Sequence, residues 1–348
     1  WVVKSTAMKG PRGPIRRNRG MSGFSEKPPR RAFSGRTPCG NRTTALMTFS
    51  RILRKSPRSC VFLGVLTAGA CAALSLGTIP ARAGGGSRAE MVTIPAGKFI
   101  MGSAPEEREY GYKLDETLHK SSVARRNKWF EKETRKAPEL PAYRIDKYLV
   151  TNDDYQVFVN AAGRPAPHVT RAVWKGYGLI HRFAAAKRFV WREGRFPPGR
   201  AAHPVVLVSH ADAAAFCAWR GRREGRRLRL TAEPEWEKAA RGEDGRYFPW
   251  GNEFDPDRLN SYDGGPFDTT PVGRYPSGAS PHGVLDMAGM VFEWTATPAE
   301  WDKKLYVVKG GSWDDFPGVT RPAARHGRPA AMKHILIGFR CAGPAPPE

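Results

Sequence analysis

Short apolar stretches separated by turn residues run through most of the chain beyond residue 90. Residues 91–102 contain two apolar stretches around a Pro95–Gly97 break, which predicts two short strands joined by a turn. Residues 143–150 alternate apolar and polar side chains, the period of a half-buried strand. A charged stretch, residues 106–136, lies between these predicted strands.

Three helices are predicted from their start and stop signals. Thr151 and Ser209 are each followed three residues later by aspartate, Asp154 and Asp212, which is the pattern of a capping box. Residues 164–200 are basic and irregular, and we expect a surface insertion there. After the third helix the chain is rich in Gly, Pro, Asn and Asp, which predicts long loops that need a disulfide, a metal or aromatic packing. The predicted helices run from Thr151 to Gly163, from Ser209 to Gly221 and from Thr231 to Gly242.

The net charge of the 348-residue chain is +24, a value that by itself suggests a nucleic acid partner. Residues 1–83, however, hold 16 of the 57 basic residues and one of the 33 acidic residues, which leaves 41 basic and 32 acidic residues in 84–348. More than half of the excess of basic over acidic residues therefore lies in residues 1–83. Because this excess is concentrated outside the rest of the chain, we expect no nucleic acid partner.

Residues 47–83 contain the three regions of a secretory signal peptide in their usual order. Basic residues precede an uncharged run, residues 60–77, and an Ala-Arg-Ala triplet ends at Ala83. We predict cleavage before Gly84, a linker over 84–90, and an exported protein, periplasmic or secreted, with no stable membrane span. Residues 1–46 are interpreted as disordered or as an over-extended start. The alternatives are an uncleaved membrane anchor or a lipoprotein anchor at Cys71.

Two of the five cysteines, Cys217 and Cys341, lie beyond the predicted signal peptide. Two cysteines in an oxidising compartment usually form a disulfide. The alternative is a pair of separate buried thiols.

Nine sequence motifs, in this order, resemble the formylglycine-generating enzyme / sulfatase-modifying factor domain. The resemblance runs from about Met91 to Cys341 and implies one domain, residues 91–343, with an α+β fold, a variant C-type-lectin-like fold of low regular secondary structure. It also implies that Cys217 and Cys341 form the structural disulfide of the family. The motifs are Ile94-Pro95-Ala96-Gly97, Val150-Thr151-Asn152, Phe216-Cys217-Ala218-Trp219, Arg229-Leu230-Thr231-Ala232-Glu233, Pro249-Trp250-Gly251, Pro271-Val272-Gly273, Asp286-Met287-Ala288-Gly289, Gly310-Gly311-Ser312-Trp313 and Gly338-Phe339-Arg340-Cys341.

Formylglycine-forming members of this family are copper oxidases whose metal is held by two cysteines just after the Gly-Gly-Ser-aromatic motif. Residues 313–321 contain no cysteine, and neither Asp315 nor Pro317 replaces a thiolate, the soft ligand that selects Cu(I). We therefore expect no copper. A second branch of the family holds non-haem iron on a His triad, but the eight histidines here show neither HxxxH nor HxE spacing. Iron is not expected either.

Calcium is the metal that the resemblance implies. Family positions matching Asp286, Gly289, Val291 and Glu293 coordinate calcium, two of them through backbone oxygen, and hard oxygen ligands of this kind suit the ion. A second candidate loop contributes Asn260, Ser261 and Asp263. The alternative is that these carboxylates only cap turns.

The resemblance places Asp314, Asp315, Arg321, Arg325 and His326 at the active-site groove of the family. Asp315, Arg325 and His326 are the candidates for catalysis, and Arg325 is suited to hold a carboxylate or a peptide backbone. The alternative is that these are solvated loop charges. Two further groups have simpler interpretations. Trp250, Trp294 and Trp313 are expected to be core aromatics. The basic residues of 164–200 are expected to form a solvated surface, and the alternatives are a site for an acidic partner or for membrane headgroups.

Two functions are consistent with these residues. The first is an exported, non-oxidase accessory or binding domain that acts on a protein or peptide partner in the groove. The alternative is a metal-dependent oxidoreductase of the same family, for formylglycine generation or for maturation of a periplasmic cofactor or pigment. In the maturation version, His326, His334 and Asp315 are the expected hard ligands.

Overall fold

The computed structural model describes residues 90–178 and 181–346. The predicted disordered start (1–46), the predicted signal peptide (47–83) and the linker up to residue 89 lie outside the described residues. Within the described residues, no helix is both long and apolar enough to span a bilayer.

The described residues form short strands and helices joined by long loops, which confirms the expected α+β class. The strands are β1 (Met91–Ile94), β2 (Gly97–Lys98), β3 (Glu139–Leu140), β4 (Tyr143–Asp146), β5 (Arg229–Leu230), β6 (Phe292–Pro298), β7 (Leu305–Lys309), β8 (Arg325–Pro329), β9 (Ile337–Gly338) and β10 (Cys341–Pro344). The helices are α1 (Pro105–His119), α2 (Val123–Arg126), α3 (Asn152–Ala162), α4 (Arg171–Gly176), α5 (Phe183–Ala186), α6 (His210–Glu224), α7 (Glu233–Arg241) and α8 (Pro317–Thr320), with 3₁₀ turns at Trp129–Lys132, Pro256–Arg258 and Pro276–Gly278.

Two four-stranded sheets organise the chain. The first has the order β1-β4-β10-β5 and is antiparallel, so the C-terminal strand lies between strands from the first and middle parts of the chain. The second has the order β8-β7-β6-β9, with β9 parallel to β6. Strands β2 and β3 form a separate pair. The two predicted strands in 91–102 are present, whereas β4 is shorter than the predicted 143–150 strand.

The predicted capping boxes are both present. The Thr151 hydroxyl accepts from the Asp154 N–H in α3, and the Ser209 hydroxyl accepts from the Asp212 N–H in α6. Helices α3 and α7 end at the expected glycines, but the predicted end of α6 at Gly221 is wrong. The helix continues to Glu224. Gly221 instead allows the chain after the helix to pack closely against it, because a Cβ at this position would lie only 2.6 Å from the carbonyl oxygen of Arg226.

Residues 164–200 are not merely a surface insertion. Their aromatic side chains Trp174, Phe189 and Trp191 are all less than 5% exposed and belong to the main hydrophobic core. Arg200 donates to both carboxylate oxygens of Asp268 at 3.1 and 2.6 Å. The exposed basic side chains therefore lie on a segment whose aromatic residues are part of the core.

The disulfide that the resemblance implies joins Cys217 in α6 to Cys341 at the start of β10, with a Cα–Cα distance of 5.6 Å. Both cysteines are fully buried and belong to the same hydrophobic core as Tyr155 and Phe216, whose rings stack on each other. The bridge fastens the C-terminal strand to the helix that covers the core. As for the predicted core tryptophans, Trp294 and Trp313 are buried and Trp250 is partly exposed.

Eight buried charged residues form a continuous chain of alternating sign beside the second sheet. Their centre is Glu237, which accepts from Lys309 at 2.9 Å and from Arg241 at 3.2 Å. Burial alone would raise the pKa of Glu237, but the charges of Lys309 and Arg241 lower it below its usual value. The ion pairs run in the order Glu133, Arg321, Glu107, Arg241, Glu237, Lys309, Glu233, Arg325.

Candidate functional site

The second sheet presents two chemically different faces. Lys309 and Arg325 are paired across β7 and β8 and point to the buried ion-pair chain. The residues that alternate with them, His326 and Arg328 of β8 and Phe292 of β6, share the opposite face. The ring of Phe292 lies 5.4 Å from the ring of His326 and 5.6 Å from the guanidinium of Arg328.

The loop after β7 brings three further side chains to this region. Gly310 and Gly311 have positive φ angles of 95° and 71°, and the turn that they make is followed by Trp313, Asp314 and Asp315. A residue with a Cβ at position 311 would be strained at this φ angle and would also lie 3.1 Å from the Cα of Thr320. The Gly-Gly-Ser-Trp motif therefore fixes where Trp313 and the two aspartates lie.

Asp314 and Asp315 have different partners. The Asp314 carboxylate lies 2.6 Å from Nε2 of His181, a residue of the 164–200 segment. The Ser312 hydroxyl donates to the Asp315 carboxylate. Burial raises the pKa of Asp315 to about 6, and the negative charge of Asp314 acts in the same direction.

Two histidines of the region have buried Nε2 atoms without a hydrogen-bond partner among the described residues, His326 and His334. The backbone N–H of Leu336 donates to Nδ1 of His334 at 3.2 Å, and the His334 ring stacks on Trp174 at 5.0 Å. Burial lowers the pKa of both histidines well below its usual value, and the charge of Arg328 acts in the same direction. Both imidazoles are therefore neutral at neutral pH.

The structure corrects the placement of Arg325 and Arg321, which are not groove residues. The Arg325 guanidinium donates to both oxygens of Glu233 and to both oxygens of Glu300. Arg321 is fully buried and donates to Glu133 and Glu107. Both guanidinium groups are satisfied inside the ion-pair chain, so neither can hold a ligand. Motif order alone did not reveal this, because the partner carboxylates lie up to 214 residues away.

An aromatic surface borders Trp313. Tyr262 and Phe267 are 46% and 44% exposed, and the Phe267 ring lies 5.2 Å from the Trp313 ring. Phe316 contacts Tyr262 on one side and stacks on His119 at 4.1 Å on the other. We call Tyr262, Phe267, Phe316 and Trp313 the aromatic mouth.

The first candidate calcium loop fits the ion poorly. Both oxygens of Glu293 accept hydrogen bonds from the guanidinium of Arg340, at 2.7 and 2.8 Å, and both residues are buried. The Asp286 carboxylate accepts from the Gly273 N–H at 2.7 Å. A calcium ion bound to Glu293, with Gly289 and Val291 as backbone ligands, would therefore have to share the Glu293 carboxylate with the positively charged guanidinium of Arg340.

The second candidate loop fits better. The side-chain oxygen Oδ1 of Asn260 is buried and has no hydrogen-bond partner among the described residues, as expected for a cation ligand. Ser261 lies next to it and is also buried. Asp263, in contrast, points elsewhere, since its carboxylate lies 3.0 Å from Nε2 of His119. Asn260 and Ser261 would therefore hold the ion, with Asp263 outside the ligand set.

The described residues contain no group of three or more His, Cys, Asp or Glu side chains able to hold a metal ion. Among these residues, His326, His334 and Asp315 therefore do not converge as a ligand set. This arrangement does not support the interpretation of these three residues as hard metal ligands.

Comparison with known proteins settles the family. The model of the sulfatase-modifying factor enzyme 1-like domain matches residues 78–345. The chain belongs to this family. The sulfatase-modifying-factor domain thus covers every element of the two sheets and all residues of the aromatic mouth.

The relatives of this domain differ in activity. The chain is 30% identical over 304 residues to the inactive C-alpha-formylglycine-generating enzyme 2 of Bos taurus, covering 75% of this chain and 90% of that protein. It is 33% identical over 237 residues to the hercynine oxygenase of Mycobacterium tuberculosis, covering 59% of this chain and 53% of that enzyme. The solved structure of PvdO from Pseudomonas aeruginosa superposes with a TM-score of 0.55 at 22% identity, covering 73% and 94% of the two chains. The variant C-type-lectin-like fold is therefore confirmed.

Sequence reasoning missed several residues of the site, namely His181, Arg328, Tyr262 and Phe267. One signal was present for Arg328, which lies two residues after His326 and therefore on the same face of a strand. No local signal exists for His181 or Phe267, because each reaches the site from a loop distant in sequence.

Proposed function

We propose that this sulfatase-modifying-factor domain is a non-oxidase member that binds a protein or peptide partner in the groove beside Trp313. The observation that carries the proposal is the Cys217–Cys341 disulfide, which uses both cysteines of residues 84–348. No thiolate remains there for copper, and Asp315 lies in the stretch where the copper enzymes have cysteine. The name of the bovine relative, an inactive enzyme, supports the same proposal.

The aromatic mouth supports peptide binding. Exposed aromatic side chains next to a fixed tryptophan supply contact area at low cost in conformational entropy. Arg188 adds a cation over the Trp313 ring at 5.6 Å and donates to the Phe267 carbonyl at 3.0 Å. A peptide lying across Tyr262 and Phe267 would have its neighbouring residues beside Trp313 and Arg188.

Calcium and export belong to the same proposal. We place calcium at Asn260 and Ser261, where it would brace the loop that carries Tyr262. Export is proposed from the sequence of residues 47–83, with Gly84 as the first residue of the mature protein. Intact-mass measurement of the exported fraction tests the cleavage, and retention of residues 47–83 would refute it.

Peptide binding is tested by fluorescence anisotropy of the full chain with a panel of labelled acidic, neutral and basic peptides. The variant Tyr262→Ala/Phe267→Ala should weaken binding at least about fivefold, because interface residues whose truncation costs more than about 1 kcal/mol are enriched in aromatic side chains such as tyrosine. The control is Val157→Ala, which shortens a side chain of similar exposure, 45%, on α3. Binding by no peptide in the panel, or equal binding by the aromatic variant, would refute the proposal.

A further inference from the structure

Arginines are concentrated around the end of helix α6. Residues 220–229 contain six arginines and one acidic residue, Glu224, so the net charge of this segment is +5. Arg220 belongs to the interior, because its guanidinium donates to both carboxylate oxygens of Asp146 at 3.0 and 2.6 Å. The other five arginines are exposed to solvent, and we call them the arginine patch. They are Arg222, Arg223, Arg226, Arg227 and Arg229.

Two glycines bring the arginines of the patch together. Helix α6 is capped by Gly225, whose positive φ angle of 64° reverses the direction of the chain. The returning chain lies against the last turn of the helix, since the Arg226 N–H donates to the Gly221 carbonyl at 2.8 Å. A Cβ at Gly221 would lie 2.8 Å from the backbone nitrogen of Leu228. The arginines before the turn and those after it therefore share one region of the surface.

Part of the arginine patch has no counter-charge of its own. The guanidinium of Arg229 is paired with Glu235 at 2.6 Å, and that of Arg226 lies 3.6 Å from Glu224. The remaining three form no ion pair with any residue of 90–178 or 181–346. These three are Arg222, Arg223 and Arg227.

Helix stability explains only some of these cations. The helix dipole favours positive charge in the last turn, where Arg222 and Arg223 lie. Arg227 lies beyond the helix, and the effect of the dipole does not extend that far. Its backbone packs closely on the first sheet, because its carbonyl oxygen would lie 2.6 Å from a Cβ at Gly343, the residue opposite Arg144. Its side chain is exposed beside this sheet.

A pocket of about 450 Å³ adjoins the arginine patch at the first sheet. It is bordered by cationic groups on one part of its surface and by apolar groups on another. Pro141 and Pro344 are themselves exposed to solvent. The pocket therefore suits a ligand with an anionic group next to an apolar group. The cationic lining residues are Arg227 and Arg229, and the apolar ones are Pro141, Ala142, Leu228 and Pro344.

An anionic phospholipid matches both parts of this surface. A guanidinium binds phosphate oxygens through two parallel N–H bonds, and the acyl chains of the lipid supply the apolar part. A nucleic acid would need free aromatic rings on which its bases stack. The Trp219 ring, however, has the Arg223 guanidinium 4.8 Å from its centre, and Tyr143 is only 2% exposed. An acidic peptide segment matches the charge alone.

We propose that the arginine patch and the adjoining pocket form a docking surface for a membrane that contains anionic phospholipid. Clustered arginines are attracted to the negative surface of such a membrane, and Arg227 and Arg229 would hold the phosphate of one lipid at the pocket. The surface shares no residue with the aromatic mouth, so it is independent of the proposed peptide binding. It would hold an exported protein at a membrane through its folded domain.

Vesicle flotation tests the membrane preference. Protein from the exported fraction, with the same N-terminus in every variant, is mixed with vesicles of phosphatidylcholine alone or of phosphatidylcholine with phosphatidylglycerol. The wild type should float only with the vesicles that contain phosphatidylglycerol, and added salt should weaken this binding. The variant Arg222→Gln/Arg223→Gln/Arg227→Gln should bind them about a hundredfold more weakly, since each arginine near a negative membrane contributes about fivefold.

The matched control is Lys175→Gln/Lys187→Gln/Arg195→Gln, which removes the same total charge from three exposed residues of the 164–200 segment. The control should change the vesicle affinity by less than about twofold. A loss as large as that of the arginine variant would show a general effect of net charge and would overturn the docking surface. Equal flotation with both kinds of vesicle would overturn it as well.

The pocket is tested separately with dihexanoyl-phosphatidylglycerol below its micelle-forming concentration. The methyl signals of Ala142 and Leu228, which line the pocket, are followed by NMR. They should shift in the wild type, by much less in Arg227→Gln, and not at all with dihexanoyl-phosphatidylcholine. Methyl signals that do not move would overturn the lipid pocket. Binding of poly-glutamate at the arginine patch without vesicle binding would overturn the membrane assignment in favour of an acidic protein.

Discussion

Both carboxylate oxygens of Glu293 accept hydrogen bonds from Arg340, the arginine that directly precedes Cys341. Arg340 also donates to the carbonyl oxygens of Asp146 and Leu285. Glu293, which the family pattern implies as a calcium ligand, thus forms a buried ion pair with Arg340. This pair connects β6 to the residue just before β10.

Glu293→Gln should therefore destabilise the protein by about 3–5 kcal/mol, because it leaves a buried guanidinium without its counter-charge. Glu300→Gln is the matched control, since Glu300 is also bidentate to an arginine but its side chain is 51% exposed. The control should cost less than about 1 kcal/mol. Urea unfolding measures both. A loss in Glu293→Gln that disappears in excess chelator would instead identify Glu293 as a calcium ligand.

Calcium at the second loop is tested through Asn260. Excess chelator should lower the melting temperature of the wild-type chain, because a ligand bound only to the folded state adds RT ln(1 + [L]/Kd) to its stability. In Asn260→Ala the melting temperatures with and without calcium should be equal. An unchanged wild-type melting curve in chelator would rule out a structural calcium ion.

Replacing Cys217 or Cys341 by serine should cost roughly 2–5 kcal/mol, since the bridge closes a loop with a sequence separation of 124. The double substitution should cost little more than either single one, because both remove the same bond. Denaturant unfolding of the three variants is the measurement. Additive losses in the two single variants would contradict a shared disulfide, as would recovery of both thiols unmodified by peptide mapping under non-reducing conditions.

Asp115 predicts a pH dependence of stability. Its Oδ1 accepts from the Gly318 N–H at 2.9 Å, its Oδ2 is buried without a partner among the described residues, and burial raises its pKa to about 7 from 3.8. Between these two values the unfolded chain loses the proton while the folded chain keeps it, so stability falls as the pH rises from about 4 to 7. The full shift corresponds to roughly 4 kcal/mol at most.

Asp115→Asn cannot lose this proton, so the variant should gain stability relative to the wild type as the pH is raised from 5 to 8. Melting temperatures measured across that range test this, with Asp302→Asn, a change at an exposed aspartate, as the control. Parallel curves for Asp115→Asn and the wild type would show that Asp115 is ionised in the folded protein.

Helix α1 shows why part of the fold could not be predicted. Its buried stripe consists of Glu107, Gly111, Tyr112 and Asp115. Glu107 is buried because Arg241 and Arg321, far away in sequence, neutralise it. A helical repeat of apolar residues predicts only those helices that bury apolar side chains. Helix α1 instead buries the charged residue Glu107 and the carboxyl group of Asp115. The capping boxes at Thr151 and Ser209 are local, by contrast, and they predicted α3 and α6.

The groove likewise has parts that local sequence signals predict and parts that depend on residues distant in sequence. The Gly310-Gly311 turn is local, so the position of Trp313 and Asp315 followed from the motif. The resemblance assigns Arg325 to the groove together with its sequence neighbours. The carboxylates of Glu233 and Glu300, however, determine where its guanidinium lies. His181 and Phe267 reach the groove through tertiary contacts alone.

The central claim is that this family scaffold binds peptide without oxidising it. The most direct test incubates the full chain with copper(I), oxygen, a thiol reductant and a cysteine-containing sulfatase peptide, and follows the peptide by mass spectrometry. We predict that the cysteine remains intact at every copper concentration, because Cys217 and Cys341 are joined to each other and Asp315 supplies no thiolate. Copper-dependent conversion of the peptide cysteine to formylglycine would contradict the account.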